Sequence, residues 1–265
     1  MTGTRVRRGG GRLNRMWWVV MAAGLMLVVS VSTGAAASRR DETDNAHTVS
    51  VNPTNTRTTL MPLGDSITGS PGCWRAKLWR TMNRAGYRSV DFVGTRNTPE
   101  CGITHDADND GYRGLKVAQA ARDGFFVQTF KTHRPDIVVM HLGTNDIWHG
   151  NPDPTAILAA YTVLLKELRA ANPHVILLVA QIIPMSADRC GACADRVVAL
   201  DKRIPGWAHR HSTVTSPIHV VNQHTGFDAR ADTIDGVHPN DIGTGKMAKR
   251  WWIALRPVLE GTRGS

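Results

Sequence analysis

An almost wholly apolar run in the middle of the chain, Asp136-Ile-Val-Val-Met-His-Leu142, constrains the fold more than any other feature. A strand of this composition is buried on both faces, which is what a parallel sheet covered by helices produces. A second such run, His174-Val-Ile-Leu-Leu-Val-Ala180, follows an amphipathic segment with helical spacing. We therefore expect both runs to be central strands of one parallel sheet.

The alternation of strands and helices extends over the rest of the chain. Shorter strands are predicted at residues 58–63, 89–93 and 218–221. Helices are predicted at residues 74–84, 115–133, 153–172 and 195–211, and from Pro239 onward. This pattern predicts an α/β fold of three layers, α/β/α, with a doubly wound parallel sheet of about five strands.

The first 37 residues have the composition of a secretory signal peptide. Five arginines precede an uncharged run from Met16 to Ser38, which contains the small-residue stretch Ala35-Ala36-Ala37. Basic, apolar and small residues in this order predict cleavage near Ala37 and export from the cell. An uncleaved membrane anchor is the alternative, because 23 uncharged residues are enough to cross a bilayer.

Residues 38–56 are polar and are expected to form a flexible lead into a single domain of residues 57–265. The chain has 32 basic and 22 acidic residues, a formal charge of +10, and loss of the five leader arginines leaves +5. Basic runs with interleaved aromatic residues are absent from the sequence, so we expect no nucleic-acid partner. We also expect a monomer with no stable membrane partner after cleavage.

Four cysteines follow the leader: Cys73, Cys101, Cys190 and Cys193. An even count in an oxidising compartment predicts two disulfides, for which three pairings exist. Cys190 and Cys193 are close enough to close a small loop, which leaves Cys73 to pair with Cys101. A redox-active or zinc-binding CxxC motif is the alternative, but the sequence has no second CxxC or His pair at ligand spacing.

Ser66 stands at the end of the first predicted strand, in the stretch Met61-Pro-Leu-Gly-Asp-Ser-Ile-Thr68. A serine at this place is either a turn and helix-cap residue or a nucleophile that needs a base from elsewhere in the chain. The triplet Gly-Asp-Ser does not match the G-x-S-x-G elbow of ordinary α/β-hydrolases. We expect Asp65 to support the turn rather than to react.

Asp235 and His238 stand three residues apart, just ahead of the predicted C-terminal helix. An imidazole that accepts a serine proton needs a partner on its other nitrogen to fix its tautomer and orientation. Asp235 is able to provide this partner and to leave the second ring nitrogen for Ser66. The alternative is that Asp235 caps the helix and His238 is an exposed loop residue.

Two further segments contain candidate donors for an oxyanion. The side-chain amide of Asn145, which follows the central strand, is suited to this role, although a turn residue is the alternative. Gly114 is able to donate a backbone N–H from the loop of residues 95–114, and a residue without Cβ allows close approach of a substrate. Gly111 competes for the same role.

These four blocks together resemble the SGNH, or GDSL-type, hydrolase superfamily, and they occur in its order. The resemblance implies a flavodoxin-like fold, with Ser66 as nucleophile, His238 as base and Asp235 as the residue that orients it. It also implies an oxyanion hole made of the Ser66 N–H, the Gly114 N–H and Asn145. No metal or organic cofactor is implied.

A narrower similarity is to carbohydrate esterase family 3, whose members remove acetyl groups from acetylated xylan. It is carried by six stretches: Met61–Thr68, Asp91–Gly94, Asp110–Gly114, His141–Asp146, Gln181–Pro184 and Gly236–Asn240. The sequence departs from this family at Tyr112-Arg113-Gly114-Leu115, where a His and a small residue before the glycine and an aromatic residue after it are expected. It departs again at Gly69-Ser-Pro-Gly-Cys73.

The resemblance implies a secreted serine esterase that removes acetyl groups from carbohydrates such as acetylated xylan through an acyl-enzyme. The expected partner is an acylated carbohydrate or a small ester. A lipid or short-chain acyl esterase is the first alternative, although no long apolar lid segment is evident in the sequence. A non-catalytic carbohydrate-binding protein is the second alternative.

The sequence also predicts where three other groups of residues lie. Trp148 and His149 are expected to line the pocket, and at least one of Trp251 and Trp252 is expected in the core. An acidic loop is expected either to be solvated or to bind calcium. The spacing of its acidic residues is not that of an EF-hand loop. The residues of the acidic loop are His105, Asp106, Asp108 and Asp110.

Overall fold

The computed structural model describes residues 57–150 and 153–262. Within these residues, seven strands form one sheet, in the order β3-β4-β1-β5-β6-β7, with β2 also paired to β1. The strands are β1 (Thr58–Gly64), β2 (Val90–Phe92), β3 (Arg96–Asn97), β4 (Asp108–Gly111), β5 (Ile137–His141), β6 (Ile176–Gln181) and β7 (Ile218–Asn222). Their pairings are parallel except that of β3 with β4.

Strand β5 has the double burial that its composition predicts. All five of its residues are buried. Val138 and Met140 belong to the hydrophobic cluster on one face of the sheet, whereas Ile137 and Val139 belong to the cluster on the other face. The sheet is therefore the middle layer of the domain.

Nine helices occur in the described residues, and the larger ones cover the two faces of the sheet. They are α1 (Ser66–Gly69), α2 (Trp74–Arg84), α3 (Val117–Asp123), α4 (Val127–His133), α5 (Thr144–Trp148), α6 (Pro154–Ala171), α7 (Cys193–Asp201), α8 (Ile204–His211) and α9 (Asp241–Thr262). Helices α2 and α9 pack on one face, where Trp251 is fully buried 5.7 Å from Trp74 between ring centroids. Helices α3, α4, α6, α7 and α8 cover the other face.

The predicted fold class, a doubly wound three-layer α/β/α domain, is confirmed. All five predicted strands are present, and they lie in the order β2-β1-β5-β6-β7. The two additional strands, β3 and β4, lie in the segment of residues 95–114 that is predicted to be an irregular loop. The sequence Asp108-Asn-Asp-Gly111 has no apolar alternation, so its strand depends on backbone pairing with the end of β1 rather than on a hydrophobic face.

Two predicted helices are each divided into two. The helix predicted at residues 115–133 breaks at Gly124, which has a φ of 59° and donates its N–H to the carbonyl of Ala120 as a left-handed cap. The helix predicted at residues 195–211 breaks between α7 and α8. Pro205 lies in the first turn of α8, where the missing N–H of a proline has no partner to lose.

The C-terminal helix begins at Asp241 rather than at Pro239. Pro239 instead forms an isolated bridge with Thr233, and the Asn240 side chain accepts the Gly243 N–H at 3.0 Å in the manner of a helix cap. The short helix α5 is not predicted from the sequence.

The predicted signal peptide of residues 1–37 and the predicted flexible lead of residues 38–56 lie outside the described residues. In the part of the chain that the structure describes, none of the helices combines the length and the apolar character needed to span a membrane.

The structure contains two disulfides. Cys73–Cys101 joins the start of α2 to the connection between β3 and β4 across 28 residues of sequence. Cys190–Cys193 joins two residues that are three positions apart, at the start of α7. The first bond therefore restrains a much longer segment than the second.

Replacing Cys73 and Cys101 by alanine should lower the free energy of unfolding by about 3.6 kcal/mol, because closing a long loop removes much entropy from the unfolded chain. Replacing Cys190 and Cys193 should cost about 2 kcal/mol, since that loop is short. Urea denaturation of the two double variants and the oxidised wild type measures both losses. A larger loss for the short loop would contradict this expectation.

Candidate active site

Ser66 is the first residue of the one-turn helix α1, directly beyond the end of β1. Asp65 caps this turn, because its Oδ1 accepts the N–H of Ile67 at 3.0 Å. Gly64 allows the turn to lie close to β5, since a Cβ there would lie 2.6 Å from the carbonyl oxygen of His141. The glycine before the Asp-Ser pair is thus required by close backbone packing.

Three segments with predicted site residues leave the sheet at the same level. In the register of the parallel strands, Gly64 of β1 lies opposite Gly111 of β4 and His141 of β5. Ser66 follows two residues beyond Gly64, and Asn145 follows four residues beyond His141. Carboxyl ends of parallel strands form the usual ligand-binding edge of such sheets.

Ser66, His238 and Asp235 form a continuous chain of hydrogen bonds. Ser66 Oγ lies 3.0 Å from His238 Nε2, and His238 Nδ1 lies 2.8 Å from Asp235 Oδ2. With Nδ1–H donating to the carboxylate, Nε2 is left as the acceptor for the serine hydroxyl. The structure therefore brings together three side chains that are separated by up to 172 positions in the sequence.

The carboxylate of Asp235 is held in its ionised form. Burial alone would raise its pKa, but hydrogen bonds from the backbone and side chain of His238 and from the Val237 N–H lower it below the ordinary value. The two backbone N–H groups donate to Oδ1 at 2.8 and 3.0 Å, while Oδ2 accepts from the imidazole. The charge of Asp235 is thus available to orient His238 and to stabilise a positive imidazole.

The turn that carries Asp235 and His238 is braced by the segment after β6. The Ser186 N–H donates to the Gly236 carbonyl at 2.8 Å, and Arg189 Nε donates to the carbonyl of Asp235. Sequence reasoning missed Ser186 and Arg189, because neither residue is in a motif and their partners are about 50 positions away in the chain.

Asn145 and Gly114 are joined through the residue next to Gly114. Asn145 Nδ2 donates to the Leu115 carbonyl at 3.2 Å, which leaves its second N–H for another acceptor. Gly114 has a φ of 76°, and its N–H donates to none of the described residues. The Gly111 N–H already donates to Asn109 Oδ1 at 2.9 Å. Of the two glycines, Gly114 is therefore the one with a free N–H.

Asp146, directly after Asn145, was not predicted to have a role. Its carboxylate accepts the N–H groups of Val117 at 2.8 Å and Ala118 at 3.1 Å, at the start of α3. An acidic side chain stabilises the first turn of a helix in this way. Asp146 thus links the segment of Asn145 to the segment of Gly114. The sequence does not reveal this contact, because Val117 and Ala118 lie 29 and 28 residues before Asp146.

Trp148 lies beside His238, and His149 contacts Trp148. The Trp148 ring is half-buried, 6.5 Å from the His238 ring between centroids. It also stacks on the His149 ring at 5.0 Å. The two rings therefore present an aromatic surface at the edge of the site.

The acidic loop uses its carboxylates to bind protein donors. Asp106 accepts the Phe92 N–H at 2.9 Å, and Asp110 accepts the hydroxyls of Thr129 at 2.8 Å and Tyr112 at 2.9 Å. Among the residues described, no group of three or more His, Cys, Asp or Glu side chains is arranged to hold a metal ion. These aspartates hold the loop to its neighbours.

Two fully buried titratable groups lie where β1 and β5 end. Burial raises the pKa of Asp65 to about 7, against the opposing effects of the Ile67 N–H and the charge of His238. Burial lowers the pKa of His141 to about 4, so this imidazole is neutral at pH 7. Its Nε2 accepts the Ile183 N–H at 3.2 Å, which joins β5 to the segment after β6.

Comparison with known proteins gives one family match over most of the chain. A model described as the GDSL-like Lipase/Acylhydrolase family matches residues 63–245. A multidomain esterase from Ruminococcus flavefaciens is 28% identical over 232 residues, which are 77% of this chain and 29% of that protein. The chain therefore spans less than a third of the length of this relative.

Two solved structures are similar to this chain over almost their whole length. A carbohydrate esterase of family 3 from Talaromyces cellulolyticus is 34% identical, with a TM-score of 0.71. An acetyl esterase variant crystallised with an acetate ion is 33% identical, also with a TM-score of 0.71. Each alignment covers 77% of this chain and 99% of the other.

Substituting Asp65→Asn should flatten the pH dependence of stability between about pH 4 and pH 7. Because burial raises the pKa of Asp65 from 3.8 to about 7, the folded protein keeps a proton that the unfolded chain releases. The stability that this group contributes is complete below about pH 4 and is lost as the pH rises through 7, by on the order of 4 kcal/mol. Asparagine keeps the acceptor for Ile67 and does not titrate.

Urea denaturation of wild type and Asp65→Asn at several values between about pH 4 and pH 8 measures this difference. Asp123→Asn, at an exposed carboxylate, is the matched control and should follow the wild type. Parallel curves for wild type and Asp65→Asn would contradict a raised pKa.

Proposed function

Because the chain belongs to the GDSL-like lipase/acylhydrolase family, we infer that it is an ester hydrolase. From this premise we propose that it removes acetyl groups from carbohydrates by a serine mechanism with an acyl-enzyme intermediate. The observation that carries the proposal is the chain of hydrogen bonds from Ser66 through His238 to Asp235, at 3.0 and 2.8 Å.

Acylation begins when Ser66 Oγ attacks the carbonyl carbon of the ester. The new C–O bond forms as the serine proton moves to His238 Nε2, and the carbonyl oxygen takes the negative charge. The ester C–O bond then breaks, and His238 gives the proton to the departing sugar oxygen, which leaves as a hydroxyl. Asp235 holds the imidazole in the required tautomer and stabilises it while it is positive.

The oxyanion is bound by the Ser66 N–H, the Gly114 N–H and the Asn145 side chain. The free N–H of Gly114 supports this assignment over Gly111, whose N–H is already used by Asn109. Deacylation repeats the steps with water as the nucleophile: His238 takes a proton from water, acetate leaves, and Ser66 recovers its hydroxyl. These steps use only side chains and backbone groups of the chain itself.

Two observations support an acetylated carbohydrate as substrate. The similar solved structures include a family 3 carbohydrate esterase and an acetyl esterase, at 34% and 33% identity. In addition, the half-buried Trp148 ring beside His238 is suited to pack against a sugar ring. Acetylated xylan is the substrate that we favour, ahead of a lipid or short-chain acyl ester, and ahead of a binding function without turnover.

We also propose that the protein is exported. The basic, apolar and small-residue pattern of residues 1–37 supports export, as do the two disulfides, because such bonds persist in oxidising compartments. Acetylated polysaccharide outside the cell would then be within reach of the enzyme.

Replacing Ser66 or His238 by alanine should lower kcat by about 10³-fold or more, because each change removes a member of the reacting unit. Asn145→Ala should cost about 10²–10³-fold, the usual loss for one oxyanion donor. Initial rates with p-nitrophenyl acetate measure these losses. Unchanged turnover in Ser66→Ala would exclude the proposed mechanism.

His224→Ala is the matched control for His238→Ala. His224 Nδ1 lies 2.9 Å from Asp201 Oδ2, so this second imidazole has the same kind of carboxylate partner but belongs to the segment after β7. Its loss should leave kcat within about twofold of the wild type, since it is not part of the reacting unit. An equal loss in both variants would indicate a general effect of removing a partly buried His–Asp pair.

Acetyl release from acetylated xylan should exceed the release of longer acyl groups from matched esters. Trp148→Ala should raise KM for acetylated xylo-oligosaccharides about tenfold, a loss of sugar contact of about 1.4 kcal/mol, and spare p-nitrophenyl acetate. Trp252→Ala is the control, since this half-buried Trp on α9 packs against Tyr87, between α2 and β2. Preference for octanoyl over acetyl esters would instead favour a lipid esterase.

A further inference from the structure

Helix α1, which begins with Ser66, is too short to hold its own conformation. It has four residues, whereas isolated helices need about 12 or more to be even marginally stable. Its last carbonyl groups also have no partners within the helix. The position of Ser66 therefore depends on groups outside α1.

Side chains from the first turn of α2 bind the three carbonyl groups at the end of α1. Trp74 Nε1 donates to the carbonyl of Ile67 at 3.0 Å. Arg75 Nε donates to the carbonyl of Thr68 at 2.7 Å, and Arg75 Nη2 donates to that of Gly69 at 2.9 Å. One tryptophan and one arginine thus bind the end of the nucleophile helix.

Arg75 binds a second segment at the same time. Its Nη1 donates to the Ala107 carbonyl at 3.0 Å, and its Nη2 donates to the carbonyl and the hydroxyl of Thr98. The Thr98 hydroxyl in turn donates to the carbonyl of Gly69 at 2.7 Å. The guanidinium therefore ties α1 to the segments next to β3 and β4.

The burial of Arg75 is unusual for a charged residue. Its side chain is fully buried, and within the described part of the chain no carboxylate lies at salt-bridge distance from it. Burial lowers the pKa of Arg75 to about 10, so the group remains charged at neutral pH. Neutral carbonyl and hydroxyl acceptors, together with the more distant charges of Glu100, Asp106 and Asp108, offset the loss of water around this cation.

The backbone around this network packs closely against the end of α1. A Cβ on Gly69 would lie 2.5 Å from the carbonyl oxygen of Gly111, and a Cβ on Gly111 would lie 2.3 Å from the Gly69 nitrogen. Gly72 has a φ of 54°, and a Cβ there would lie 2.9 Å from Arg75 Nε. Helix α1 is therefore held between the strand β4 and the guanidinium.

We propose that Arg75 is a positioning residue for Ser66, which holds the nucleophile helix at hydrogen-bond distance from His238. The proposal rests on the function proposed for Ser66 and adds a residue outside the reacting unit. The disulfide Cys73–Cys101 supports the same arrangement, because it joins the start of α2 to the segment that contains Thr98 and Ala107. Arg75 touches neither substrate nor the reacting atoms in this mechanism, so it acts through α1.

Arg75→Met should lower kcat about 10²-fold, the order of loss that a displacement of about 1 Å causes at a reacting group. KM should change by less than about threefold, because the substrate-binding groups are retained. The rate at which paraoxon phosphorylates Ser66 should fall in parallel with kcat. Arg75→Lys should recover part of both rates, since an ammonium can donate to one of the two α1 carbonyls.

Arg169→Met is the matched control. Arg169 also donates to two backbone carbonyls and a hydroxyl, those of His211 and Ser216, but it does so near the start of β7. All rates are normalised to the folded fraction from circular dichroism. A lower melting temperature in both arginine variants with a loss of kcat in Arg75→Met alone supports positioning, whereas normal kcat per folded molecule in Arg75→Met overturns it.

Substitute variants and a Ser66→Ala assay distinguish the remaining outcomes. If Arg75→Met does not fold, Arg75→Lys and Trp74→Phe, which removes only the indole N–H, replace it, and wild-type kcat in both overturns the proposal. Ser66→Ala is assayed beside them. An inactive Ser66→Ala with a fully active Arg75 variant rejects the positioning role alone, while an active Ser66→Ala rejects the serine mechanism itself.

Discussion

The parallel pairing of β1 with β5 is the constraint on which the site depends. Five consecutive pairs, from Leu60 opposite Ile137 to Gly64 opposite His141, fix where the two strands end. Because Gly64 also lies opposite Gly111 of β4, three connections leave the sheet from one level. A slip of register by one residue would turn every side chain of β1 to the other face and separate Ser66 from the other two connections.

The helices that contain Ser66 and Asn145 are short, and they depend on distant parts of the chain for their stability. Helix α1 has four residues and α5 has five, so neither is stable through its own hydrogen bonds. The end of α1 is bound by Trp74 and Arg75, and α5 is joined to α3 through Asp146. A site that is held in this way is rigid because of tertiary contacts rather than helix propensity.

The parts of the fold that follow from hydrophobic patterning are those that the sequence predicts well, and β5 is the clearest example. The meeting of Ser66, Asp235 and His238 is predicted because each residue is in a short motif whose chemistry requires the others. Strand β4 is missed because Asp108–Gly111 has no apolar alternation. The contacts of Arg75 are also missed, since an arginine is rarely expected in a core. Most of its partners are backbone carbonyls, which no side-chain pattern in the sequence marks.

The end of β1 is also where the domain leaves buried polar atoms without partners. Within the described residues, Oδ2 of Asp65, Oγ1 of Thr68 and Oγ1 of Thr144 are such atoms, and each costs about 1–3 kcal/mol. A Cβ at Gly64 would lie 2.2 Å from Thr68 Oγ1, so these groups are crowded as well as unpaired. The two hydrophobic clusters on either face of the sheet offset this loss. The close packing of this turn restricts its movement and so keeps the Ser66 hydroxyl in one position.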